Sequence, residues 1–288
     1  MENKIININS VFRDKNKYPN SNNFRIDLPQ KLKNIIYIRL SSLEMVDINF
    51  VFSNKRNNNK FKLIIGDNTH IIDIEEGNYT SSTLIIKLQE SLDVINESLD
   101  FTISVDIEIN TAKIFFTTEP ENNITIDFTR DNNTKYNGLN YYLGFKNLVN
   151  NGTLIKADSV INISGFNYAF LNINDYDNVI DSQVSNVFTK IIYESGRFNA
   201  LFSNGAEYNS KDLVFRSPID ISYFEIKILD YMGNLLELME FDYSLTLEVG
   251  YIYDWDLYKK LIILDNQTVI HDYYINFNLI FSINFYSY

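Results

Sequence analysis

The sequence predicts a mainly β protein: an antiparallel β-sandwich with one amphipathic helix near residues 82–95 and extended arms at both ends. Three observations predict it. Apolar and polar residues alternate with period two in segment after segment, which puts every second side chain on one face of a sheet. The apolar residues there are mostly Ile, Phe, Leu and Val, and the Ile, Phe and Val among them fit a pleated, half-buried surface. Hydrophobic residues make up 45% of the 288, enough to enclose a sizeable core, and 21 Phe and 20 Tyr dominate its bulky members. AT-rich codon usage favours the same residue types, and the two causes are compatible.

The elements follow in order. Phe24, Ile26 and Leu28 alternate with Asn23, Arg25 and Asp27, and Pro29 is expected to end that strand because it cannot continue a ladder. Ile35 to Leu40 (IIYIRL) is apolar on both faces, as a central strand would be. After the turn at Gly77-Asn78, Thr80 or Ser81 can cap a helix. Leu84, Leu88, Leu92 and Ile95 then recur at helical spacing, with Lys87, Gln89, Glu90 and Asp93 on the wet side. Further strands alternate over Phe101–Ile109, Ile124–Phe128, Phe224–Ile228 and Leu245–Val249. One wet face per strand is the habit of antiparallel sheets. Gly233-Asn234 supplies a tight turn before Leu235–Leu238. Asn-rich loops are expected over 55–60, 131–137 and 147–152. Last, Ile275, Phe277, Leu279, Phe281, Ile283 and Phe285 alternate with Asn276, Asn278, Ser282 and Asn284, a strand that either pairs within its own sheet or completes a partner's. The division this suggests is an N-terminal arm with first strands over 1–60, a strand–helix–strand unit over 61–148, a second β block over 149–250 and a tail over 251–288.

Charge and missing residues narrow the function. A net charge of −12 repels phosphate, so direct nucleic-acid binding is not expected. With no Cys there are no disulfides, thiolate metal sites or thiol catalysis, which fits assembly in a reducing cytoplasm. The opening MENKIININS is too polar and short for a signal segment, and no run approaches the ~20 apolar residues of a membrane helix. His70 and His271 stand far apart and match no metal-ligand spacing. No phosphate-cradling glycine loop and no nucleophile elbow occurs. Acidic pairs such as Asp254 and Asp256 are solvated charges by default. The expectation is no cofactor, no metal and no catalytic residue.

Two places stand out for binding instead. Arg13, Lys15 and Lys17 lie in the only basic-leaning part of the chain, continued by Arg25, Lys31, Lys33 and Arg39, and suit an arm docking on an acidic neighbour. Trp255, within Tyr253–Tyr258, suits an interface anchor or a sugar-stacking platform. With Phe277, Phe281 and Phe285 of the last strand, these are the candidate interface residues.

The same stretches carry a resemblance. Ser10 to Asn16 (SVFRDKN) and Tyr18 to Pro29 (YPNSNNFRIDLP) resemble the opening of virion proteins of nucleocytoplasmic large DNA viruses, the giant viruses. Leu32–Ile35, Leu40–Met45, Glu76–Thr80 (EGNYT), Leu143–Phe145 (LGF) and Phe224–Val249 resemble later blocks of that family in the same order. Phe12 departs from its usual Ser, Tyr243 from a common His, and nothing after Gly250 has a counterpart. The resemblance implies a jelly-roll-like sandwich and a minor capsid protein that cements major capsid capsomers. Its partners would be the major capsid protein and other minor capsid proteins, with possible homo-oligomers. Its place would be the virion shell, assembled in host cytoplasm. The alternatives are a jelly-roll penton (vertex) protein and a carbohydrate-binding β-sandwich using Trp255.

Overall fold

The computed structural model describes residues 2–46, 50–130, 136–193, 200–204, 211–256 and 259–260. Among them the strands are β1 (Glu2–Asn9), β2 (Asn23–Val46), β3 (Lys60–Ile65), β4 (Asn68–Asp73), β5 (Thr102–Glu108), β6 (Lys113–Glu119), β7 (Ile124–Asp127), β8 (Val149–Gly152), β9 (Leu154–Lys156), β10 (Tyr168–Ile173), β11 (Thr189–Ile192), β12 (Ala200–Asn204), β13 (Leu213–Leu229) and β14 (Ser244–Tyr251). The helices are α1 (Ser81–Asn96) and α2 (Leu139–Leu143). Every strand pair is antiparallel.

A seven-stranded sheet runs β1-β14-β2-β13-β10-β11, with β12 also on β2. Its organising element is β2, 24 residues long. Straight, a strand of that length would extend roughly 80 Å at ~3.3 Å per residue. It does not run straight. The Phe24 ring lies 6.0 Å from that of Tyr243, whose neighbour Ser244 pairs with Glu44 near the far end of the same strand. Between these two ends the β2–β13 register shifts three times, from Asp27 to Tyr37, and Asn34 within that stretch has φ 56°. The first half of β2 therefore forms one layer with the end of β13, β10 and β11. Its second half forms the other with β14, β1 and β12. Phe24, Ile38, Leu171, Phe224, Leu247 and Val249, drawn from both layers, share one core. This is the mainly β, antiparallel, jelly-roll-like sandwich expected.

A second core lies in residues 51–163. Sheet β4-β3-β7-β8 contributes Phe61, Leu63 and Ile126; sheet β5-β6-β9 contributes Ile103 and Phe116; α1 contributes Leu84, Leu88 and Leu92. This unit is inserted between β2 and β10. It is tied to the first by Tyr136, whose hydroxyl donates to Asp230 at 2.5 Å and accepts from Asn234 at 2.8 Å, and by Lys55 paired with Glu237 at 3.0 Å.

Helix α1 forms as the spacing predicts, with Thr80 as its cap and a reciprocal bond from Thr83. The turn at Gly233 (φ 82°) forms as well, held by Asp230 accepting from Met232 and Asn234. Two expectations are corrected. Pro29 does not end its strand, because it falls in the bulged stretch of β2 with no ladder partner, where its missing N–H costs nothing. The Asn-rich stretch 147–152 is not all loop. Its end is β8, a short edge strand whose Val-Asn-Asn-Gly sequence is held by pairing with Ile124–Asp127 rather than by propensity.

Candidate interaction surface

The opening motif builds a clasp. Asn9 caps a single 3-10 turn over Ser10–Phe12 by accepting from the Val11 amide. That turn aims Arg13 inwards, 7% exposed. Its guanidinium donates to the carbonyls of Ser10 (2.8 Å), Tyr18 (2.9 Å) and Pro19 (2.8 Å) and to the Asp242 carboxylate. Ser10 Oγ donates to the same carboxylate at 2.7 Å and accepts from the Tyr243 amide at 2.9 Å. The charge is buried only because it is paired and its donors are directed. Lys15 and Lys17 stay outside, Lys15 Nζ 4.0 Å from Asp242 and Lys17 Nζ 5.2 Å above the Tyr18 ring. Thus the three basic candidates divide: one is internal to the clasp and two are on the surface.

Around the clasp, Phe12 is 81% exposed, with Val11 and Phe241 also exposed. Sequence reasoning did not select these apolar residues. The one signal was Phe12 standing where the resembling family has Ser.

Trp255 packs on Ile36, Tyr37 and Ile252, with the Lys259 ammonium 4.9 Å from its ring. Nearby, Tyr251 and Tyr253 both donate to Glu2 at 2.8 Å, which holds that carboxyl below its ordinary value. Phe277, Phe281, Phe285 and the strand expected over 275–285 lie outside the described residues. So does His271.

On the outer face of the sheet, Glu248 is buried among donors. It accepts from Arg39 at 2.6 and 3.0 Å, Tyr37 at 2.9 Å and Asn3 at 2.8 Å. These bonds, the Arg39 one foremost, hold its carboxyl below the usual range despite burial.

Strand β1 is the rim of the large sheet. Ser10 N donates to Tyr243 O, and the β1–β14 register continues without a shift. In an antiparallel ladder, hydrogen-bonded pairs alternate with open ones. Glu2, Lys4, Ile6 and Ile8 therefore bond to β14, while the N–H and C=O groups of Asn3, Ile5 and Asn7 point off the edge. The edge of β5 is different. There Gln89 and Asn96 reach from α1, accepting from the Val105 and Ile103 amides at 2.8 Å each and donating to the Ile103 carbonyl. Unpaired edges are templates for another strand, and among the described residues β5 is closed by a helix while nothing covers β1.

Among the described residues no cluster of His or carboxylates has metal-site composition, and no helix is long and apolar enough to cross a membrane.

No protein-family model and no curated protein matches this chain. A solved structure does: the crystal structure of selenomethionine-labelled mavirus penton protein, with a TM-score of 0.50 at 11% identity, covering 87% of this chain and 100% of that one. At that identity the likeness is one of fold, and the chain has a viral capsid-like fold.

Proposed function

We propose that this chain is a structural protein of a viral capsid, placed at the vertex as a penton. The observation that carries the reading is the fold shared with a penton protein over the whole of that protein's length. A vertex protein works by holding neighbours in a closed ring, which needs rigid sheets and sticky rims and no reacting group. The open β1 edge and the exposed Phe12 and Phe241 suit that work. Its partners would be copies of itself, the major capsid protein and other minor capsid proteins, and its place the virion, with assembly in host cytoplasm.

The blocks from Ser10 to Val249 favour a second reading, a minor capsid protein cementing capsomers from beneath or between. Native mass and electron-microscope class averages of the purified chain separate the two. Five copies in a ring are expected of a penton. A monomer that binds major capsid capsomers overturns that placement in favour of cement, and a monomer with no affinity for capsid proteins overturns both.

A further inference from the structure

The edge of β1 has a fitting occupant within the sequence. Asn3, Ile5 and Asn7 direct their backbone groups off the sheet, and among the described residues nothing pairs with them. On the inner face β1 presents Ile6 and Ile8 to the core, beyond Lys4; on the outer face it presents Asn3, the exposed Ile5 and Asn7. A strand that continued this sheet would be apolar at alternate positions on one side and Asn-rich on the other. Residues 275–285 have that pattern: Ile, Phe, Leu, Phe, Ile and Phe at odd positions, and Asn276, Asn278, Ser282 and Asn284 at even ones, with Ile280 the one apolar residue among them. Residues 273–288 contain no charged side chain, so no side-chain charge in them opposes pairing.

We propose that the free edge of β1 takes residues 275–285 of a second copy of this chain as an added antiparallel strand, linking copies tail to edge. The inference rests on the oligomeric reading above. Its geometry follows from where the described chain leaves the sheet. Tyr251 pairs with Glu2, so residues 252 onwards depart at the Glu2 end of β1. A strand entering directly from there in the same copy would run parallel to β1, whereas all the described pairs are antiparallel. Residues 261–274 span at most ~50 Å extended, at ~3.3–3.6 Å each, which is sufficient to cross to a neighbour. A tail-to-edge contact joins two different surfaces, so it makes a ring where the rotation between copies closes and an open chain where it does not. Main-chain bonds would give the affinity and the alternate apolar side chains the register.

Complementation with full-length variants tests this. Ile5→Pro and, separately, Asn7→Pro remove an outward N–H and leave the β14 ladder intact. Phe281→Asp spoils the tail. Each variant alone is expected to be a folded monomer by circular dichroism and sedimentation. An Ile5→Pro or Asn7→Pro chain mixed with a Phe281→Asp chain has one good tail and one good edge, and is expected to give a two-chain complex and nothing larger. Hydrogen exchange supplies a readout that needs no edge variant. The Asn3, Ile5 and Asn7 amides should exchange about tenfold or more slower in the parent oligomer than in Phe281→Asp. An oligomer that survives the proline variants or Phe281→Asp overturns the proposal, and so does a monomeric parent with those amides protected by its own tail. A five-membered ring that survives all three variants overturns the exchange and leaves the vertex reading standing. A tail-linked ring of another size does the reverse.

Discussion

Gly250 lies directly against the ring of Tyr37. The two residues pair across β14 and β2, and a Cβ at position 250 would come within 2.0 Å of the ring. No real side chain tolerates that approach, so Gly250→Ala must push the ring off its seat and with it the Tyr37 bond to Glu248. A loss of about 1–3 kcal/mol is expected, the usual cost of overpacking, read by urea denaturation. The pair should be non-additive: in a Tyr37→Ala background the same glycine substitution should cost much less. Equal costs in both backgrounds would refute the steric account.

Glu248 should make the sheet acid-sensitive. Its carboxyl is held below the usual carboxylate range, chiefly by the Arg39 hydrogen bond, and the phenol of Tyr37 beside it is pushed up to about 12 by burial and by Glu248. A carboxyl depressed in the folded state contributes stability that is full above its unfolded value. That stability is lost as the pH falls through the folded value. Stability should therefore decline below about pH 4.5. Glu248→Gln should cost about 1–2 kcal/mol at neutral pH, the part-exposed Arg39 being discounted for solvent, and should flatten that decline. Melting curves from pH 3 to 7 on both proteins check it.

The clasp makes a separate prediction. Asp242→Asn leaves the Arg13 guanidinium buried without its counter-charge, while the three carbonyl acceptors remain. A cost of about 2–3 kcal/mol is expected, less than for a fully buried pair because Asp242 is partly exposed. Arg13→Lys should fare no better, since an ammonium cannot reach four acceptors in a planar fork. Either variant melting like the parent would show the clasp to be idle.

The strands of the fold were legible because alternation is a local signal: the segments at Phe24, Phe101, Ile124, Phe224 and Leu245 all form strands. So was α1, whose Leu84, Leu88 and Leu92 face the core as their spacing requires. What could not be read was long-range. That β2 doubles back to bring Phe24 to Tyr243 depends on a register shift and on Asn34, neither of which breaks the local pattern. Arg13 shows the same gap at the candidate surface. A basic residue in a polar stretch is ordinarily solvated, and only the return of Asp242, 229 residues later, turns it inwards. Phe12 and Phe241 could not be picked out because a lone exposed aromatic is ordinary in a sequence, and only the Ser10–Asp242 contact brings their two segments together.

Gln89 carries that lesson to an experiment. It falls among the polar residues of α1 and reads as solvent-facing, yet with Asn96 it occupies the backbone groups of Ile103 and Val105 along the edge of β5. Four side-chain-to-backbone bonds at roughly 1 kcal/mol each give an expected loss of about 2–4 kcal/mol for Gln89→Ala with Asn96→Ala. The larger consequence is the edge itself. Once those amides are free, β5 offers a neighbouring chain the same template that β1 does, in a place with no matching strand to receive. The double variant should therefore associate irregularly as concentration rises, giving a broad distribution in sedimentation where the parent gives one species. Its β1-dependent oligomer should be unaffected. If the variant loses stability but sediments as the parent does, the two side chains brace the helix against β5 and do not guard the edge.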